Sequence, residues 1–210
     1  MKKMLPTFVL CSTVLSSMGA EKAVKLPEPD KLGGKPLMQV LTERKSTRIF
    51  SDKELTLQEL SDLLYAATGQ NRSDGRRTNP TALNAQDVVL YIAMKDGLFR
   101  YDQAKNELCL EQKRDIRGFC GMRTEFYMDS PLTLIPVSNI ATMKAKNIPE
   151  DKCRIFASLH IGCVVQNIYL YAASAGFGTV CTASIDSAKL AEEMKLDKDH
   201  VILISMPFSK

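Results

Sequence analysis

Residues 153–175 read CRIFASLHIGCVVQNIYLYAASA, and the architecture turns on where this stretch sits. As a helix it would carry Ile155, Phe156, Leu159, Cys163, Val164, Ile168, Leu170 and Tyr171, leaving little exposed polar face. A helix that is apolar nearly all round either spans a membrane or is buried by protein. Arg154, His160, Gln166 and Asn167 interrupt the run, which favours a central helix buried at the core of a dimer. Gly176 and Gly178 end it.

The flanking sequence supplies a sheet and shorter helices. After the glycines, 180–183 reads as a strand, Asp186 caps a short helix through Met194, and 201–206 is the last strand. Before the long helix, 88–94 is a buried strand, Lys95, Asp96 and Gly97 make a hairpin turn, and 98–101 returns beside it. Helical segments are expected over 113–128 and a buried strand over 132–137. Nearer the start, Leu37, Val40 and Leu41 share one face of a helix over 37–44. Thr56 and Glu59 form a capping box, in which hydroxyl and carboxylate reciprocally satisfy free amides. Leu57, Leu60, Leu63, Leu64 and Ala67 are that helix's apolar stripe, with Gly69 as the expected left-handed terminus. Prolines and glycines among charges make 21–36 an extended arm. The class is α+β, a mixed sheet flanked by helices, with no internal repeat and no βαβ alternation.

The first residues resemble an export leader. Lys2 and Lys3 precede a largely apolar or small stretch to Met18, and Gly19 and Ala20 offer a small-residue cleavage site. This divides the chain into a signal peptide (1–20), the arm (21–36) and one domain (37–210), with export to the periplasm expected. If this segment is not a signal, the protein is expected in the cytoplasm. Cys11 follows Leu10 after a short apolar run, unlike a lipoprotein site. The formal net charge of +4 falls to +2 when Lys2 and Lys3 leave with the leader, too weak for a nucleic-acid footprint. Five cysteines remain (Cys109, Cys120, Cys153, Cys163 and Cys181), with no CxxC pair and no metal-ligand spacing. An odd number cannot all pair within one chain, and buried free thiols are the simpler reading.

Three stretches carry chemistry. Arg44, Lys45, Ser46, Thr47 and Arg48 gather three cations and two hydroxyls, the donor types a phosphate monoester needs. Alone, such a cluster is most simply a solvated basic turn. The segment from Arg77 to Gln86 leads straight into a buried strand. It carries Asn84 and Gln86, whose amides both donate and accept, beside Pro80, Thr81 and Ala82. The third is the long helix with its glycine stop, where Ala172, Ala173 and Ala175 permit close packing.

In this order the three stretches resemble the FMN-binding nitroreductase family, closest to its short branch related to the SagB-type dehydrogenases. The likeness spans roughly residues 26–208. It rests on Arg44, Ser46 and Arg48, on Leu63 to Ala67, on Arg77 to Ala82, on Gly97 to Asp102 and on Gln166 to Leu170. The resemblance implies an intertwined homodimer with FMN at the subunit interface. Arg44, Ser46 and Arg48 would hold the phosphate and ribityl chain, with Lys45 near the ring. Pro80, Thr81, Ala82, Asn84 and Gln86 would line the flavin from the other subunit. Ala183 and Ser184 would offer backbone groups near its reactive nitrogen, and Lys210 would reach for the phosphate. NADH or NADPH would supply hydride to the flavin, which passes it to a small aromatic or quinone-like substrate. No acid or base residue is implied. The alternatives are an exported flavin carrier and a SagB-like oxidase. The chain departs from the pattern at its tail (Met206 to Lys210), at Thr81 in place of a common serine, and at His160 where an acid is usual. His160 is expected to be a satisfied core residue.

Overall fold

The computed structural model describes residues 23–210, so the expected leader lies outside the described residues. Its strands are β1 (Ala23–Lys25), β2 (Val88–Met94), β3 (Gly97–Asp102), β4 (Glu107–Gln112), β5 (Leu132–Asn139), β6 (Gly178–Thr179), β7 (His200–Ile202) and β8 (Met206–Ser209). They form one sheet in the order β1-β4-β3-β2-β5-β8-β6, with β7 also on β5. Every ladder among the described residues is antiparallel. The helices are α1 (Leu37–Glu43), α2 (Leu57–Thr68), α3 (Thr124–Met128), α4 (Ala141–Lys144), α5 (Glu150–Ala175) and α6 (Ser187–Glu193).

Both faces of the sheet are covered, which explains why its central strands are apolar without alternation. Val88, Leu90 and Ile92 of β2 pack with Leu60, Leu63 and Leu64 of α2 and with Ile161, Val164 and Ile168 of α5. Tyr91 and Ala93 face the other way, onto Tyr127, Leu190 and Met194. Burying each large aliphatic side chain contributes about 1.5–3 kcal/mol. One chain covers α5 only in part: Ile155 is 54% exposed and Leu159 58%, and Gly162 and Gln166 continue the same open stripe.

Some local expectations hold and some do not. Thr56 and Glu59 make the capping box, Asp186 caps α6 through Lys189 N–H, and Gly176 ends α5 at φ +80°. Gly69 is extended rather than left-handed (φ −65°, ψ 156°), and glycine is needed there because a Cβ would meet the Tyr65 ring and backbone. The expected arm begins as β1 on β4, with Val24 and Leu26 buried. The helical segments expected over 113–128 are a 3-10 turn at Arg117–Phe119 and the short α3. The buried Arg117 fixes that turn through Asp115 (2.6 Å) and the Ser130 carbonyl (2.8 Å). The last strand is split into β7 and β8 along one edge of β5, and Ser205 between them pairs with Thr182. Tyr127 OH joins Thr182 Oγ1 (2.6 Å) and Ser205 Oγ (3.0 Å), pinning this break. The expected strand over 180–183 is accordingly β6 followed by an isolated bridge.

Candidate functional site

The basic segment leaves α1 with Arg44 as its C-terminal cap and is fastened to β6 by Thr47 N–H donating to Thr179 O (2.9 Å). Tyr169 of α5, only 9% exposed, organises what surrounds it. The Arg44 guanidinium lies over its ring at 5.2 Å, a cation–π geometry. Its hydroxyl accepts from Cys181 N–H (2.7 Å), leaving its own proton for Ser46 Oγ at 3.1 Å. One phenol therefore ties the 44–48 segment to the 181–184 segment. Lys45, Ser46 and Arg48 remain exposed to solvent.

Arg48 and Ser184 come together on a cavity of about 300 Å³, along with Arg123, Phe126, Tyr127 and Cys181. Ser184 O accepts from Met122 N–H (3.0 Å), and Ala183 and Ser184 are exposed. Burial pushes the Cys181 thiol and the Tyr127 phenol upward, the latter against hydrogen bonds from Ser205 and Thr182 that lower it. Both stay protonated near neutrality. The charges on the cavity are then the two guanidiniums.

Lys210 is engaged elsewhere. Its ammonium ion sits 2.7 Å from Glu59 Oε1, while Ser51 Oγ donates to its backbone oxygen (3.0 Å). Burial raises the Glu59 carboxyl, but Lys210 and the Thr56 amide and hydroxyl outweigh this and hold it below its ordinary value.

Pro80 to Gln86 forms a second surface. Leu83, Asn84 and Gln86 take positive φ (+49°, +51° and +50°), unusual for residues with side chains. The bends are held from outside. Arg77 donates to Val88 O (2.9 Å) and Gln86 O (3.3 Å), Gln86 N–H donates to Thr81 Oγ1 (3.0 Å), and Gln86 Nε2 donates to Gly75 O (3.1 Å). Ala82 N–H donates to Nε2 of His160 at 2.8 Å. That places the ring proton on Nδ1, which faces Asp87 Oδ1 at 2.6 Å, while Ser138 Oγ donates to Asp87 Oδ2 at 2.5 Å. His160 is the satisfied buried residue expected, and it is also the clasp of this loop. Asn84 and Pro80 stay exposed.

The structure thus joins the first and third expected stretches and keeps the second apart. His160 and Tyr169 are nine residues apart on α5, which is half a rotation and roughly 13 Å along the axis. The sequence reading missed both organising roles. Two signals were available: a tyrosine on an apolar helix needs a partner for its hydroxyl, and so does a buried histidine. Among the described residues no group of three or more His, Cys, Asp or Glu side chains is placed to hold a metal.

The fold that carries these surfaces is shared with known proteins. A crystal structure from Ralstonia eutropha JMP134, provisionally named a nitroreductase, superposes with a TM-score of 0.85. It is 36% identical, and the match covers 100% of this chain and 95% of that one. A Methanocaldococcus jannaschii protein with the same provisional name is 26% identical over 202 residues, 92% of this chain and 98% of its own length. A structure from Desulfovibrio desulfuricans, named as a nitroreductase in complex with FMN, shares the fold at 15% identity, with a TM-score of 0.60 over 84% of this chain and 87% of that one. The profile of the Nitroreductase family matches residues 41–210, well over half of the sequence, and the chain belongs to that family.

Proposed function

We propose that this protein is an FMN-dependent oxidoreductase that works as a homodimer. It takes hydride from NADH, NADPH or another reduced donor and passes it to an electron-poor ring such as a nitroaromatic or a quinone. The observation that carries the reading is the Tyr169 junction, which presents Arg44 and Ser46 beside the backbone of 181–184. The donor set suits a phosphate monoester: planar guanidinium forks, an ammonium ion and two hydroxyls within five residues. FMN, when bound, supplies the hydride chemistry.

The chain's own residues bind, orient and tune. Arg44, Ser46 and Arg48 hold the phosphate end, with Lys45 near the ring, and Ala183 and Ser184 offer backbone groups. Lys210, engaged with Glu59, is left out of the set. Arg48 and Arg123 favour a ligand that gains negative charge in their cavity, because fixed positive groups need no reorganisation when that charge develops. Phe126 and Tyr127 exclude water from its wall.

The second surface faces the wrong side of α5 to serve the same molecule, so the partner subunit's Pro80, Thr81, Ala82, Asn84 and Gln86 would complete each site. The stripe of Ile155, Leu159 and Gly162, with exposed Leu37, Met38 and Leu41 of α1, supports such a pairing. At Gly162 an added Cβ would meet nothing within 4 Å, leaving room for close approach. Export by the leader is part of the proposal, and a periplasmic enzyme would need a donor other than the largely intracellular nicotinamides.

An absorbance spectrum with added FMN, before and after anaerobic NADPH, tests the reading. Bound flavin that bleaches supports the reductase. Bound flavin that stays oxidised points to a carrier, an oxidase or a different donor. Arg44→Ala with Arg48→Ala is expected to abolish FMN retention, and full retention would reject the phosphate assignment.

A further inference from the structure

Between α2 and the second surface the chain makes a small hairpin. Thr78 N–H donates to Gly69 O (2.9 Å), Gln70 pairs with Arg77, Asn71 N–H donates to Arg76 O (3.0 Å), and Gly75 N–H donates to Arg72 O (3.1 Å). This turn sets three arginines around one opening. The cavity there measures about 450 Å³ and is lined by Arg72, Arg76, Arg77, Asn79, Thr81 and Asn84, with no acidic residue in its wall.

Its polar groups are incompletely used. Asn79 is only 3% exposed, yet neither atom of its amide has a partner among the described residues, and Nε of Arg77 is likewise unpaired. These unpaired atoms lie behind the wall of the cavity, with essentially no surface of their own, so the wall presents its arginines rather than the Asn79 amide. The carboxylates near these arginines are Asp74, which pairs with Arg76 on the same turn, and Asp87 and Asp102, which act on Arg77. Arg72 stands at the mouth, exposed to solvent.

We infer that this cavity binds the carboxylate or phosphate of the molecule that approaches the flavin, so that the enzyme favours substrates carrying an acidic group. Guanidinium forks engage such an anion in pairs, and the Thr81 hydroxyl on the same wall adds a neutral donor. The inference rests on the proposal that Pro80 to Gln86 lines the flavin, because the cavity shares Thr81 and Asn84 with that set. The anion belongs either to the oxidant's ring or to the nucleotide of the donor, and both present the same oxygen chemistry.

The test compares the wild-type dimer with Arg72→Ala and Arg72→Lys, each loaded with FMN. KM is measured for 4-nitrobenzoate against nitrobenzene, and for NADPH against NADH. Arg72→Ala is expected to raise the 4-nitrobenzoate to nitrobenzene KM ratio about tenfold, with Arg72→Lys between, as loss of one charged hydrogen bond predicts. The same rise in the NADPH to NADH ratio alone would assign the anion to the donor's phosphate and still uphold the site. Unchanged ratios in both comparisons would overturn it. Calorimetric titration of the purified protein with benzoate and with inorganic phosphate separates this from the flavin reading. Anion binding lost in Arg72→Ala, in a protein that holds no FMN, would keep the site and reject the flavin. Absence of anion binding and of any ratio change, in a protein that does hold FMN, would do the reverse.

Discussion

His160→Leu removes the ring that spans Ala82 N–H and Asp87. Asp87 is fully buried and keeps only Ser138 as a side-chain donor on its second oxygen. Removing the neutral ring strips one oxygen of the buried Asp87 carboxylate of its hydrogen-bond donor, which costs about 2–3 kcal/mol because a charged group is penalised more than a neutral one. Ala82 is half-buried, so water can reach its freed amide, and its share falls at the low end of the ~1–3 kcal/mol for an orphaned group. The total expected is about 3–4 kcal/mol, which for a chain of this size lowers Tm by roughly 6–16 °C. Urea unfolding at constant m reads it directly. Asp87→Asn introduced into the His160→Leu background removes the stranded charge and should recover about 2 kcal/mol or more, a strongly non-additive pair. A cost below ~1 kcal/mol for His160→Leu, or two costs that add within ~0.5 kcal/mol, would refute the clasp.

Tyr169→Phe keeps the ring under Arg44 but unties Ser46 from Cys181. FMN affinity should fall about tenfold by fluorescence titration, the equivalent of one to two hydrogen bonds, with secondary structure unchanged by circular dichroism. Glu59 has its carboxyl held below the ordinary value of about 4.3, so its contribution is complete above that pH and is lost as pH falls through the lowered value. Glu59→Gln should therefore destabilise the protein at pH 7 and shrink its loss of stability below about pH 4.3; an identical acid limb in both proteins would count against the Lys210 pairing. Leu159→Arg places a charge in the open stripe of α5 and should give a monomer in sedimentation equilibrium without loss of fold, whereas an unaltered dimer would move the interface elsewhere.

What the sequence disclosed depended on how local the physics was. The Thr56–Glu59 box and the Asp186 cap need only neighbouring residues, and both were legible. The all-round apolar character of α5 was equally plain, since it is written in the period of one helix. β4 was missed because Glu107 and Glu111 sit on a strand with one partly solvated face, and only pairing with β1 and β3 reveals it. The helical segments expected over 113–128 are present but short, because Arg117 spends its side chain on Asp115 and Ser130 and fixes a turn between them and the sheet. The basic segment and the Asn/Gln-bearing loop were recognisable as motifs. What they hang on lies far along the chain and meets them only after folding: Tyr169 is 123 residues from Ser46, and His160 is 78 from Ala82.

The placement of those two anchors restricts how this protein can vary. Adding one residue to α5 anywhere between His160 and Tyr169 would turn one anchor by about 100° and shift it by 1.5 Å relative to the other. Either the clasp or the phenol junction would then point away from the loop it serves. The eight positions between them accept exchanges of side chain, but their number is set. Length changes among homologues should accumulate in the connections around the sheet, such as the turn at Gln103–Asn106, while this stretch of helix keeps its count as a gauge block keeps its spacing.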